Sequence, residues 1–164
     1  MSVSPASEPI AAVPWKGIGL VLAVSLLLGL AALPPFVPDA WRPVLMDAFA
    51  GACHQLPARS PHIDGVALAV CDRCAGLYLG VALGGGLALL VTKRLPRVAL
   101  LGSLVLLGLD WMGPLAGLWM NTPWSRALTG LLAGLAAGWF VLERLLPQRH
   151  APKHDPRPSS WWWR

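Results

Sequence analysis

The chain has 164 residues, 55% of them hydrophobic and 13% charged, with a mean hydropathy of +0.58. Soluble domains carry about 25% charged residues, so this composition excludes an ordinary water-soluble globule and leaves too little polar chain for an enzyme built around a large soluble cleft. The net charge of +5 comes from lysines and arginines scattered at the ends of apolar runs. With no basic face and no interleaved aromatics, it points to membrane orientation and away from nucleic acid.

A helix needs about 20 mostly apolar residues to cross a bilayer core. Residues 1–14 read as a disordered N-terminus, and an integral membrane domain is expected over 15–146. Its first apolar run covers about 15–33 and is stopped by Pro34-Pro35. Ala31-Ala32 would also suit a signal-peptide end, but the run is longer than a signal core and Lys16 is its only positive flank, so it reads as an uncleaved helix. Next come Trp41, Val44, Leu45, Ala48, Phe49 and Ala52, apolar at helical spacing. They predict a short helix lying at the membrane surface, with Asp39 as a cap and Pro43 in its first turn. It delivers Cys53 and His54 at its C-terminal end, after which Pro57 and Pro61 break the chain and Asp64-Gly65 mark a turn.

The remaining runs cover about 71–91, 98–119 and 127–146, and Pro147 ends the last. The expectation is therefore an all-α fold, a four-helix transmembrane bundle with an interfacial helix in its first extracytoplasmic loop. Residues 147–164, ending in Trp161-Trp162-Trp163, read as a disordered cytoplasmic tail. Nine of the lysines and arginines fall on the side of Lys16, Lys93, Arg94 and Arg97; only Arg42, Arg59, Arg73 and Arg126 fall on the other. Both termini are accordingly expected in the cytoplasm and the cysteine-bearing loop outside the cell (inner) membrane. Gly76, Gly80 and Gly84, and Gly130, Gly134 and Gly138, recur every four residues. Such stripes let helix backbones approach closely and predict packing of the second and fourth helices.

Chemistry concentrates in one stretch. Cys53-His54-Gln55 precedes Cys71-Asp72-Arg73-Cys74, and Cys71, Cys74 and Tyr78 share one helical face from which Arg73 points away. The cysteine pair sits at a helix N-terminus, where the macrodipole favours thiolates. Three readings compete. In the first, Cys53, Cys71 and Cys74 bind zinc or iron, with His54 or His62 as fourth ligand; a Cys3His set suits tetrahedral coordination, though the spacing matches no standard finger. In the second, Cys71 and Cys74 are a redox pair with Cys53 as relay thiol and a quinone as partner. In the third, the cysteines are structural, in a protein without chemistry.

Asp110 lies about 18 Å into the third helix and Tyr78 about 10 Å into the second at 1.5 Å per residue, so the two share a depth beneath the cysteines. A carboxylate there requires a partner. Arg126 is the expected one, with Arg73 or Arg59 next. Catalytic candidates are thus Asp110, Arg126, Arg73 and Tyr78. Gln55, Arg59 and Asn121 are candidate ligand-binding groups, Asn121 and Thr122 also being able to cap the fourth helix. Arginines suit an anionic ligand, a lipid headgroup phosphate or a carboxylate, as they also suit a loop beside anionic lipids. No P-loop, Ser-His-Asp order, HExxH or haem CxxCH occurs.

Cys53-His54-Gln55, then Arg59-Ser60, then Cys71-Asp72-Arg73-Cys74-Ala75-Gly76-Leu77-Tyr78-Leu79-Gly80 resemble domain-of-unknown-function family 2085, small multi-pass prokaryotic membrane proteins with a CHQ…RS…CxRCxGxYxG pattern. Asp110 and the run Asn121…Arg126…Thr129-Gly130 are similar to it as well. Ala75 departs from it, standing where many members carry Thr. The resemblance implies that these residues form one site and implies no particular reaction.

Overall fold

The computed structural model describes residues 15–91 and 93–145. The segments expected to be disordered, 1–14 and 147–164, lie outside the described residues. The fold is all-α in character, with five α-helices among the described residues: α1 (Trp15–Ala31), α2 (Arg42–Ala50), α3 (Asp72–Leu90), α4 (Arg97–Leu115) and α5 (Pro123–Leu145). Three of them, α3, α4 and α5, are long and apolar enough to cross a membrane. Helix α1 is apolar beyond Lys16 but for Ser25 and has 17 residues, about 26 Å at 1.5 Å per residue against a hydrocarbon core of about 30 Å.

The centre of the molecule is the α3–α5 pair. Alanine at Gly80 would place its Cβ against the backbone of Leu131, Gly134 and Leu135, and at Gly134 against Leu77 and Val81. Gly76, Gly84, Gly130 and Gly138 meet backbone in the same way. The two glycine stripes therefore face each other and let the helices touch main chain to main chain. Helix α1 packs on α3 and helix α4 on α5. Leucines of α1 and α4, such as Leu26 and Leu104, are exposed, a surface suited to hydrocarbon.

Helix ends explain where the elements stop. Helix α4 ends before the apolar run does. Gly117 takes φ +67°, and the N–H groups of Leu118 and Gly117 donate to Gly113 and Pro114 carbonyls, the hydrogen bonding of a Schellman cap. Helix α5 begins earlier than hydropathy suggests. Thr122 Oγ1 accepts from Ser125 N–H at 3.0 Å, Ser125 Oγ accepts from Thr122 N–H at 3.2 Å, and Pro123 occupies the first helical position. Helix α2 starts at Arg42 with Pro43 in its first turn and no side-chain cap; Asp39 instead pairs with Arg42 at 2.6 Å.

One feature is absent from the sequence-based expectation. His62–Ile63 and Val66–Ala67 form a two-stranded antiparallel hairpin, β1–β2. Its turn is Asp64-Gly65, both at positive φ, the backbone a tight hairpin demands. The hairpin leads into Ala69, whose N–H donates to Ala31 O at 2.9 Å. Ala31, Phe49, Cys53, Ala69 and Val70 then form a buried cluster. It ties the end of α1, helix α2 and the start of α3 together at one end of the bundle.

Candidate functional site

The sequence Cys71-Asp72-Arg73-Cys74 forms the first turn of α3, with Cys71 as its N-cap. Helix α2 and the turn after it bring Cys53 alongside. The sulfurs of Cys53, Cys71 and Cys74 all lie within 4.8 Å of one another, and the three cysteines are free thiols. Cys53 is buried, and its Sγ accepts the backbone N–H of Cys71 at 3.2 Å. Hydrogen bonding from the Cys74 thiol holds the Cys71 thiol well below its usual range, at about 5. Burial opposes this, and the Cys74 and Arg73 backbone and the Cys53 thiol reinforce it.

Next to the cysteines the same turn of α3 makes two ion pairs in opposite directions. Asp72, buried, accepts from Arg126 of α5 through Nη2 at 2.8 Å and Nε at 3.1 Å. Arg73 donates to Asp110 of α4. The expected Asp110–Arg126 pair is thus corrected: Arg126 belongs to Asp72 and Asp110 to Arg73. The reason is the α3–α5 seam, which sets the first turn of α5 directly against Asp72. Arg73, one residue round the helix, reaches α4. The burial of Asp72 and its pairing with Arg126 are not legible in the sequence. As an acid at a helix start beside arginines it resembles an ordinary surface charge, and its burial follows only from the helix packing.

Asp110 has further partners. Asn121 Nδ2 donates to its carbonyl at 2.6 Å and to its Oδ2 at 3.2 Å, and Thr129 Oγ1 lies 3.3 Å from the same carboxylate oxygen. Arg126 Nη1 donates to Asn121 O at 3.2 Å, which joins the two pairs into one network. Arg73 Nε and Asn121 Oδ1 are buried without a hydrogen-bond partner among the described residues.

The remaining candidates fall in different places. His54 is exposed and lines the same cavity as the cysteines, but its ring stands outside the close sulfur cluster. His62 is exposed on the hairpin, where its Nδ1 lies 2.8 Å from Ser60 O. Gln55 adopts φ +49° and donates from Nε2 to Met46 O at 2.6 Å. That bond anchors the turn carrying Cys53 to α2. Tyr78 packs against the Cys53 cluster, on the cysteine side of α3 and apart from Asp110.

Two adjoining cavities, of about 500 and 390 Å³, open beside this network. Cys53, His54, Cys71 and Cys74 line one wall of the larger. Arg59, Arg73 and Arg126 line both, together with Trp111 and Leu115. Arg59 is exposed and makes no side-chain ion pair among the described residues.

Comparison with known sequences matches residues 53–140 to a family described as predicted membrane protein (DUF2085). An uncharacterized protein of Methanocaldococcus jannaschii, MJ1492, is 34% identical over 95 residues, which is 55% of this chain and 61% of that protein. The chain thus spans about three fifths of the length of that relative. No solved structure matches.

Proposed function

The chain belongs to the DUF2085 family of predicted membrane proteins, and from that premise we propose that it holds a zinc or iron ion at Cys53, Cys71 and Cys74. The observation that carries this reading is the approach of three free sulfurs to within 4.8 Å of one another. Tetrahedral thiolate coordination at about 2.3 Å from zinc requires sulfur–sulfur separations of about 3.8 Å, a modest contraction of this cluster. An acidified Cys71, a helix N-terminus and an N–H donated to Cys53 Sγ all favour thiolates at this place. His54, on the same cavity wall, is the fourth ligand in this reading. Asp110, Arg126 and Arg73 hold the helices around the centre and set the charge of its cavity.

In the same reading all four apolar helices, α1 included, cross the inner membrane, and α2 lies at its surface. The charge distribution supports the cysteine end facing outward. Lys93, Arg94, Arg97 and Arg144 gather at the opposite end, while Arg42, Arg73 and Arg126 are each paired with an aspartate.

The test is elemental analysis of protein purified anaerobically in detergent without chelator, beside a Cys71→Ser, Cys74→Ser double variant. The expected result is about one zinc or iron per chain, absent from the variant, as for a thiolate centre. Metal in neither sample sinks this reading. A second reading, thiol–disulfide exchange with a quinone as electron acceptor, draws on Cys71 and Cys74 standing one turn apart with Cys53 beside both. It predicts two interconvertible thiol states and no metal.

A further inference from the structure

Outside the cysteines, the cavity walls have a chemistry of their own. Three guanidinium groups, Arg59, Arg73 and Arg126, line both cavities, and among the described residues no carboxylate lines either. Asp72 and Asp110 balance Arg126 and Arg73 from behind, off the cavity walls. Arg59 adds a positive charge with no such balance among the described residues. A buried guanidinium N–H without a partner, here Arg73 Nε, costs free energy unless a ligand or water accepts from it, and the unpartnered Asn121 Oδ1 asks for a donor. Both residues line the smaller cavity.

The rest of that cavity is apolar. Trp111, Pro114, Leu115 and Met120 line it, and Trp111, Leu115 and Met120 are more than half exposed. Trp119 and Trp124, also exposed, lie at the same end of the bundle. Indole rings at one level are what a bilayer–water boundary favours. The cavity therefore offers arginines to an anion and an apolar side to whatever the anion is attached to, at the level of lipid headgroups.

We infer that this basin binds a phosphate group borne on an apolar moiety, with Arg59, Arg73 and Arg126 as its phosphate contacts. Guanidinium forks match phosphate oxygens in pairs; the Nε/Nη2 fork of Arg126 is held by Asp72, so the paired match falls to Arg59, with Arg73 and Arg126 adding single contacts. A volume of about 390 Å³ exceeds what a bare phosphate fills, so the cavity has room beside the anion for the group that bears it. The inference does not depend on a metal at the cysteines, because none of its three contacts is a cysteine or histidine.

The experiment uses the full chain in detergent and compares four probes by native mass spectrometry and by protection against thermal unfolding: a short-chain phosphatidic acid, the matching diacylglycerol, phenyl phosphate and inorganic phosphate. The expected result is retention of a phosphate-bearing probe at least tenfold tighter than diacylglycerol, falling at least tenfold in Arg59→Gln. Arg59 takes part in neither buried pair, so the variant leaves both intact; its unfolding midpoint without probe checks the fold, and its metal content reports separately on the cysteine centre. Phosphatidic acid binding alone identifies a lipid ligand; equal binding of phenyl phosphate identifies a soluble phosphate ester. Equal retention of diacylglycerol and phosphatidic acid, binding of no probe, or unchanged binding in Arg59→Gln overturns the inference.

Discussion

Asp72 and Arg73 are neighbours in the chain and partners to different helices. Asp72 reaches α5 through Arg126, and Arg73 reaches α4 through Asp110. One turn of α3 thus joins three helices by charge, with the cysteines on its remaining side. The Asp72–Arg126 pair is buried on both sides. Removing one member of such a pair leaves an uncompensated buried charge. Asp72→Asn is therefore expected to cost about 3 kcal/mol, measured as a fall in the unfolding midpoint in detergent. A loss under about 0.5 kcal/mol, the range of an exposed pair, would show that the carboxylate is not buried as described.

The Arg73–Asp110 contact belongs to a network with Asn121 and Thr129. A double-mutant cycle of Arg73→Gln and Asp110→Asn is expected to give a coupling energy of about 1–3 kcal/mol. The parallel cycle of Arg126→Gln and Asp110→Asn should give a smaller one, because those two side chains meet only through Asn121, whose Nδ2 donates to Asp110 Oδ2 and whose carbonyl accepts from Arg126. Equal couplings would return Arg126 to the role of direct partner.

The helix seam makes a sharper prediction. A Cβ at Gly80 would lie 2.7 Å from Leu135 N, whereas at Gly86 it meets nothing within 4 Å. Gly80→Val is expected to destabilise by about 3 kcal/mol or more, and Gly86→Ala to be neutral or stabilising by up to about 1 kcal/mol. Thermal unfolding of both variants in one detergent decides it. Similar midpoints would refute the close approach of α3 and α5.

The acidity of Cys71 is testable by alkylation of metal-stripped, reduced protein. With its folded value at about 5, Cys71 should be thiolate and reactive at pH 6–7 and should lose reactivity as the pH falls through about 5. The linked stability has the same sign. A folded value below the ordinary thiol value means that folding favours the charged form. That contribution is full above the ordinary value near 8.5 and disappears as the pH falls through about 5. Cys53→Ser and Cys74→Ser should each move the alkylation midpoint, Cys74→Ser the further of the two. An alkylation midpoint above pH 8 in the parent protein would show that the sulfurs do not interact.

For the fourth ligand, His54→Ala is expected to weaken metal retention against a competing chelator by more than the about 10- to 100-fold that loss of a group merely supporting a ligand costs. Unchanged retention would leave the fourth position facing the arginine-lined cavity.

Much of this arrangement is legible in the sequence, because spacing carries it. The glycines four apart mark both faces of the seam, and the Cys-x-x-Cys at a helix start places two sulfurs together. Asn121 and Thr122 signal the approach of a helix, although hydropathy alone delays its start past Pro123. The ion-pair partners are not legible. Asp110 can reach several arginines by depth alone, and only the packing of α5 on α3 assigns Arg126 to Asp72. The hairpin is likewise hidden, its strands being two residues each and too short for an alternating pattern to stand out.

The glycine contacts run from Gly76 and Gly130 near the cysteines to Gly84 and Gly138 near the opposite end, each against main-chain atoms. Backbone does not adopt another rotamer, so the two helices have no graded way to separate or slide. Their relative position is fixed by a ratchet of carbonyl groups, and Arg73 O, which Gly130 admits, is its last tooth. A bulky residue at Gly138, far from the sulfurs, would therefore be felt at Asp72 and Arg126 as a displacement of the whole helix end. The spacing of Asp72 and Arg126 is set by the depth of the membrane-embedded seam, not by the loops that surround the site.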